Sequence, residues 1–376
     1  MSDWQSAFAS LLKTNMGCCA GERILVFSDL VRDDEHLPPA DADRRQRLHA
    51  AAGALADCAQ KEYGNAQFVS FPATAASGAE PPEAVWHAVF GEQLLGRLSA
   101  HGILARLLAK EATSQDLRAA KEIVTTGREA VAQVIVAMSN NSTSHTRFRD
   151  LANAAGSRFA SLPHFDPEMF FSSMAVDWQA LAARTDRLAV AVNRAARIHV
   201  TTPNGTDIWI DKEGRTAKGD DGLLIAPGSF GNLPAGEVYL APVEGSSSGV
   251  MVLEYAPLRR LSSPLSLVVE HGEVVGIHGD DSHREFLERK FAESAKNRNI
   301  AELGIGTNDK ATRPDNILEA EKILGTIHIA LGDNSGFGGT VSTPFHEDYV
   351  FCQPTVTTLL PGGEEEALLE GGVLCV

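Results

Sequence analysis

The sequence predicts an α/β protein, with a doubly wound α/β domain first and a mostly antiparallel β domain of the α+β kind at the C-terminal end. In the first half, short apolar runs alternate with stretches of helical spacing, which is typical of parallel strands joined by helices. In the second half, the apolar runs are short and are separated by Gly, Pro and Asp, which favours antiparallel pairing. We place the two domains at residues 1–185 and 186–376.

In the N-terminal domain, apolar runs bounded by Gly or Pro predict strands, and Ala-rich amphipathic stretches predict helices. The loop Ser139–Ser144 follows one of these strands, at a place where open α/β sheets often bind ligands. The loop has neither a G-x-G-x-x-G nor a Walker motif, so it does not favour a nucleotide site. The predicted strands are 22–29, 66–71, 133–138 and 158–162, and the predicted helices are 40–60, 145–155 and 174–196.

The C-terminal domain contains short runs in which apolar and polar residues alternate, the pattern of strands with one face buried. One stretch of helical spacing, residues 282–295, interrupts these strands. The predicted strands are 198–201, 208–210, 238–240, 250–253, 265–269 and 274–277.

Composition excludes several functional classes. The 376 residues carry a formal charge of −16 with no basic stripe, so we expect no nucleic-acid partner. No apolar run reaches the length of a membrane-spanning helix, and the first residues lack the pattern of a secretory signal. Five cysteines fit neither a zinc ribbon nor a disulfide framework. We therefore expect reduced thiols and a cytoplasmic protein without a membrane partner.

The first candidate site is the tripeptide His346-Glu347-Asp348. On an extended segment, side chains two positions apart point to the same face, so His346 and Asp348 can reach one ion while Glu347 faces away. A lone H-x-D is common, and other ionisable groups have to support this interpretation.

Three further ionisable residues lie inside apolar, strand-like runs: His328, Glu302 and Glu237. Burying a charge without a partner is costly, so each of these positions favours the binding of a cation. Together with His346 and Asp348 they form a mixed nitrogen and oxygen set suited to one or two divalent ions such as zinc, cobalt, manganese or iron(II). The alternative is that these groups only neutralise one another. Lys322, just before His328, could orient a substrate carboxylate, although a lysine there is usually solvated.

The stretch from Ala301 to Asp348 and the upstream LPAGEVYLAP resemble the metallopeptidases of the aminopeptidase T and aminopeptidase S family. The resemblance implies an α/β N-terminal domain, a C-terminal domain with a two-metal site, and a homodimer. The metal ligands that it implies are Glu237, Glu302, His328, His346 and Asp348. The chain departs from these peptidases in two ways: Ser335 stands where they carry a Tyr, and the stretch between the two histidines is shorter.

Residues Thr343 to Asp348 also resemble the 2,5-dihydroxypyridine dioxygenases, which share this fold. The resemblance implies an iron(II) site with two histidines and one carboxylate, and a ring-cleaving reaction with oxygen. In that pattern a His stands where this chain has Glu302, and apolar residues stand where it has His328 and Glu237.

The ligand set therefore favours a metallohydrolase that cleaves the amide bond of an N-terminal residue or of a small amide. We expect a metal-bound hydroxide as the nucleophile, with Glu302 or Glu237 as a bridging ligand or general base. The expected cofactor is two divalent ions per chain (Zn, Co or Mn), and the expected substrate is a small molecule or short peptide. The alternatives are an iron(II) ring-cleaving dioxygenase of a hydroxylated N-heterocycle and a non-catalytic protein.

Overall fold

The computed structural model describes residues 2–257, 259–314 and 316–376. The α-helices are α1 Ser2–Ala9, α2 Pro39–Tyr63, α3 Glu83–Ala100, α4 Ile103–Leu108, α5 Ser114–Thr126, α6 Arg147–Ala154, α7 Trp178–Arg194, α8 Ser282–Glu293 and α9 Ile317–Ala320. The strands are β1 Ile24–Leu30, β2 Ala66–Pro72, β3 Val134–Ala137, β4 Arg158–Ser161, β5 Arg197–Thr201, β6 Asp207–Asp211, β7 Lys218–Asp220, β8 Phe230–Asn232, β9 Glu237–Leu240, β10 Ser248–Ala256, β11 Arg259–Glu270, β12 Glu273–His278, β13 Ile300–Gly306, β14 Ile327–Gly332, β15 His346–Phe351, β16 Thr355–Leu359, β17 Glu365–Glu370 and β18 Val373–Leu374.

The chain divides into two compact units. One runs to Ala175 and takes in Gly222–Pro234, and the other comprises Val176–Asp221 and Ala235–Val376. The expected boundary at 185 instead falls inside α7, whose Leu188 and Val192 belong to the core of the second unit. Because α7 packs its buried side chains into that core, the whole helix belongs to the second unit. Residues 222–234 join the first unit because β8 pairs with β4.

The first unit is built on a parallel sheet in the order β2-β1-β3-β4-β8. Parallel pairing, as in β1 with β2 and with β3, confirms the α/β class predicted from alternating strands and helices. At the carboxyl ends of β1 and β3, the buried Asp29 carboxylate accepts hydrogen bonds from the backbone N–H groups of Asn140 and Asn141. The backbone of the polar loop after β3 is therefore held by a carboxylate buried within the unit.

The second unit is built on antiparallel sheets, as predicted. One follows the order β12-β11-β10-β6-β5-β16-β17-β18, and the other follows β15-β14-β13-β9-β7. A shared hydrophobic core takes side chains from both sheets and from α7 and α8. Within the described ranges, no helix is long and apolar enough to cross a membrane.

Alternation along β13, β14 and β15 separates a core face from a polar face. Leu303, Ile305, Ile327, Ile329, Leu331, Tyr349 and Phe351 belong to the hydrophobic core. A register shift between Ile300 and Glu302 lets Ile300 also face the core while Glu302 faces the other side. The opposite face carries the ionisable residues singled out by the sequence.

Candidate metal centre

The five residues expected to bind metal lie on four adjacent strands. Glu237 begins β9, Glu302 lies in β13, His328 in β14, and His346 and Asp348 in β15. The strand order β15-β14-β13-β9 makes these strands neighbours. Residues far apart in the chain thus meet on one face of a single sheet.

The side chains form two groups that share Glu302. Glu302 Oε1 lies 3.5 Å from His328 Nε2, and Glu302 Oε2 lies 3.5 Å from His346 Nε2. His346 Nε2 is in turn 3.5 Å from Asp348 Oδ2. Glu237 Oε2 lies 3.3 Å from His328 Nε2. Ligand atoms within 4.8 Å of one another form the groups Glu237–Glu302–His328 and Glu302–His346–Asp348.

The i and i+2 pattern of β15 behaves as the sequence predicted. His346 and Asp348 point into the site, whereas Glu347 faces the other way and accepts a hydrogen bond of 2.7 Å from the Tyr349 hydroxyl. The same hydroxyl lies 2.9 Å from Nε2 of His283 on α8. This second network lies behind the ligand strand and ties it to α8.

Glycines provide the space that the ligands occupy. Gly304 on β13 is the register partner of His328 on β14, and a Cβ at position 304 would lie 2.0 Å from the imidazole. Gly306 is the register partner of Glu237, and a Cβ there would lie 2.1 Å from the backbone oxygen of Ile323. Side chains at these two positions would displace the imidazole and the turn that precedes β14.

Two further residues belong to the site. Lys322, which is 1% exposed, lies with its Nζ 2.5 Å from Glu237 Oε1 and 2.9 Å from Glu321 Oε1. Lys322 is therefore buried and ion-paired, whereas a lysine just before a strand is usually solvated. Glu321 forms a third ligand group with His328 and Asp348. Sequence reasoning missed Glu321, and its only signal was its place beside Lys322 in a segment without strand alternation.

The carboxylates outweigh burial in setting the charge of the histidines. Burial alone would lower the pKa of His328, but the carboxylates of Glu302 and Glu237 raise it to about 9. Partial burial likewise opposes the charge on His346, and the carboxylates of Asp348 and Glu302 raise its pKa.

The carboxyl groups of the site respond to burial in different ways. Burial raises the pKa of Glu302, whose carboxyl lies between the two histidines. Burial would also raise the pKa of Asp348, but the adjacent His346 lowers it to about 2. Burial raises the pKa of Glu321 to about 7, against the opposing effect of Lys322.

One observation tests whether the residues fit a divalent ion. Glu237 Oε2 is buried and accepts no hydrogen bond among the described residues, although its partner oxygen binds Lys322. A buried carboxylate oxygen without a donor is costly, and an ion shared with His328 and Glu302 would satisfy it. Imidazole and carboxylate donors suit zinc, cobalt, manganese and iron(II), so the residues fit the cofactor that the sequence predicts.

The short stretch between the two ligand histidines lies beside the site. His346 Nδ1 is 2.7 Å from the backbone oxygen of Asp333, which fixes the orientation of the ring. The ring of Phe337 lies edge-on to that of His346, with centroids 6.1 Å apart, and edge-on to that of Tyr239 at 5.8 Å. Ser335, which stands where the aminopeptidases carry a Tyr, is exposed and hydrogen-bonds Asp333.

Comparison with known families identifies this architecture. Residues 109–362 match the family described as NicX, 2,5-dihydroxypyridine 5,6-dioxygenase, and so cover more than half of the chain and all five candidate ligands. The chain belongs to the NicX family. This family membership confirms the second of the two resemblances that the sequence carries.

A curated NicX relative, the 2,5-dihydroxypyridine 5,6-dioxygenase of Pseudomonas putida strain KT2440, is 25% identical over 174 residues. That match spans 42% of this chain and 49% of the relative, about half of the relative's length.

Two solved structures share the fold along nearly the whole chain. The 2,5-dihydroxypyridine dioxygenase from Pseudomonas putida KT2440 matches with a TM-score of 0.69 and 18% identity, over 99% of this chain and 97% of the other. Wild-type AmpT, an aminopeptidase T, from Thermus thermophilus matches with a TM-score of 0.62 and 16% identity, over 100% and 99%. The fold of this NicX-family chain is thus common to dioxygenase and aminopeptidase structures, and the family match supports an enzyme.

Proposed function

We propose that this NicX-family chain is a metal-dependent hydrolase that cleaves an amide bond with two divalent ions. The observation that carries the proposal is the position of Glu302, whose two oxygens face His328 and His346 separately. A carboxylate placed between two sets of ligands suits a bridging role. Neither His328 nor Glu237 would be needed for a site with a single ion at Glu302, His346 and Asp348.

Each ion would have its own protein ligands besides the shared Glu302. Glu237 and His328 would hold one, and His346 and Asp348 would hold the other. Bound divalent ions would polarise a substrate carbonyl and promote the ionisation of water near neutral pH. Zinc, cobalt and manganese suit this mixed donor set.

The chain's own groups define what the site does to a substrate. Of the two carboxylates expected to be catalytic, Glu302 suits the bridging position. Glu237 has one oxygen bound by Lys322 and a second that lies 3.3 Å from His328 Nε2 and accepts no hydrogen bond from the described residues. The rings of Phe337 and Tyr239 flank the ligand face and offer an apolar surface to a substrate side chain or ring. We therefore propose a small amide or the end of a short peptide as substrate, and a homodimer as the assembly.

Ring cleavage by an iron(II) dioxygenase is the second candidate, because residues 109–362 match the dioxygenase family. Such chemistry uses two histidines and one carboxylate on one iron. Each of the ligand groups found among the described residues instead combines one histidine with two carboxylates. This ligand composition favours the hydrolase.

Metal content and turnover together decide between the two functions. Protein purified without added metal would be analysed for elements, then loaded separately with Zn²⁺, Co²⁺, Mn²⁺ or Fe²⁺ under anaerobic conditions. Each form would be assayed on aminoacyl anilides and small cyclic or aryl amides, and for oxygen uptake with 2,5-dihydroxypyridine. About two ions per chain with amide hydrolysis supports the proposal. One iron per chain with oxygen uptake would replace it by the dioxygenase, and no metal after loading would reject both.

A further inference from the structure

Lys322 is a buried cation in direct contact with a proposed metal ligand. Its side chain is 2% exposed, and its Nζ lies 2.5 Å from Glu237 Oε1 and 2.9 Å from Glu321 Oε1. A lysine loses its hydration when it is buried, so it lies there only if charged partners replace the water. Glu237 and Glu321 are those partners.

The contact with Lys322 leaves the two oxygens of Glu237 in different environments. Oε1 accepts the hydrogen bond from Lys322, while Oε2 accepts none from the residues that the structure describes and lies 3.3 Å from His328 Nε2. The carboxylate therefore presents one oxygen, Oε2, to the face that it shares with His328 and Glu302. A hydrogen bond to the second oxygen of a metal-binding carboxylate orients that carboxylate and commonly affects metal affinity.

The absence of a side chain at Gly306 lets the backbone of Lys322 lie close to β13. Gly306 is the register partner of Glu237, and a Cβ there would lie 2.8 Å from the backbone carbon of Lys322. The turn is also held by its own hydrogen bonds, from Asn308 N–H to the oxygen of Lys322 and from Lys322 N–H to the oxygen of Glu319. Lys322 thus reaches Glu237 from a rigid segment that packs against β13 where Gly leaves room.

We propose that Lys322 is a positioning residue that fixes Glu237 so that only Oε2 is offered to the ion shared with His328 and Glu302. The lysine makes the two ion positions unequal, because it forms an ion pair with Glu237 and, among the described residues, none with Glu302, His346 or Asp348. This inference rests on the proposed two-ion function and extends it to the control of one position. Lys322 binds no substrate in this role.

Replacing Lys322 by Met keeps most of the length of the side chain and removes its charged amine. We expect Lys322→Met to weaken the ion at Glu237 and His328 by about 10- to 100-fold, the range typical for loss of such an orienting partner, and to leave the other ion unchanged. Elemental analysis after gel filtration would then fall from about two ions per chain to about one. Isothermal titration with Zn²⁺ would show one of the two binding steps weakened and the other unchanged.

Lys310→Met, which changes an exposed lysine on the same stretch, is the matched control and should retain both steps. Lys322→Arg provides a second variant that keeps the charge but not the shape, and thermal melting monitors whether each variant folds. We expect Lys322→Arg to fold and to show the same selective weakening, because a planar guanidinium cannot reproduce the geometry in which one ammonium nitrogen contacts both Glu237 and Glu321.

The outcomes separate this inference from the proposed function. If the unchanged protein binds two ions and Lys322→Met also binds two with unaltered affinities, the role of Lys322 is refuted and the two-ion function stands. Loss of both ions from a folded Lys322→Met protein would also refute the selective role. If the unchanged protein binds fewer than two ions, the proposed function fails, and this inference fails with it.

Discussion

The imidazole of His328 lies directly over Gly304, its register partner on the adjacent strand. Cross-strand partners have their Cβ atoms about 5 Å apart, so a side chain at 304 would compete with the ring for the same space. The ring is 1% exposed and cannot move into solvent. Glycine at this position is therefore a condition for the histidine to reach the site.

Gly304→Ala should displace the His328 ring and remove the ion that it helps to hold. A Cβ at 304 would lie 2.0 Å from the ring, so the ring or both strands must shift. We expect metal content to fall from about two ions per chain to about one, with hydrolysis reduced more than 100-fold, on the order of 3 kcal/mol of transition-state stabilisation. Gly336→Ala, where no atom of the described residues beyond the adjacent ones lies within 4 Å of the added carbon, is the control and should behave like the unchanged protein. Full metal content in Gly304→Ala would contradict the placement of His328.

Glu302→Ala and His346→Ala should differ in the number of ions lost. Glu302 belongs to both ligand groups and His346 to only one of them. We expect the first variant to retain no tightly bound ion and the second to retain about one, measured by elemental analysis after dialysis. The exposed Glu213→Ala serves as control for the removal of a negative charge. Equal losses in the two site variants would exclude Glu302 as a shared ligand.

Metal binding should release protons. In the metal-free protein the pKa of His328 is raised to about 9, since Glu302 and Glu237 outweigh burial. The imidazole is thus protonated at neutral pH, and an ion can bind only after the proton leaves. We expect the apparent affinity for Zn²⁺ to rise from about pH 6 to about pH 9, by about tenfold per pH unit for each proton released. Calorimetry in buffers of different ionisation enthalpy counts the protons, and a count of zero would reject this charge state.

Tyr349→Phe should cost stability without loss of metal. The buried Tyr349 hydroxyl bonds Glu347 and His283 on the face of β15 opposite to the site. Removing the hydroxyl leaves the Glu347 carboxylate and the His283 imidazole without this hydrogen-bond partner, which lowers the free energy of unfolding by about 1–3 kcal/mol. Urea unfolding measures the change, and metal content should stay at the level of the unchanged protein. Tyr255→Phe, at a half-buried position, is the control. Loss of metal from Tyr349→Phe but not from Tyr255→Phe would contradict the prediction and show that the core face and the ligand face of β15 are coupled.

The sequence determined the class of the fold and the residues of the candidate site. Apolar runs and alternation located most of the strands. Helical stretches between the strands predicted parallel pairing in the first half, and Gly, Pro and Asp between them predicted antiparallel pairing in the second. Ionisable residues such as Glu302 and His328 stood out because their neighbours are apolar, and burial of an unpaired charge is costly. That reasoning depends only on local sequence, so it needs no knowledge of the tertiary structure.

Only the tertiary structure decided how these residues combine. Strand order and register bring Glu237 and Gly306 together across residues far apart in the chain, and no local pattern specifies that pairing. The register shift in β13 sends Glu302 to the polar face, and the turn before β14 brings Glu321 and Lys322 into the site although neither lies in a strand. Such contacts arise from packing between distant segments, so the sequence alone could name the candidate ligands but not how one of them is held.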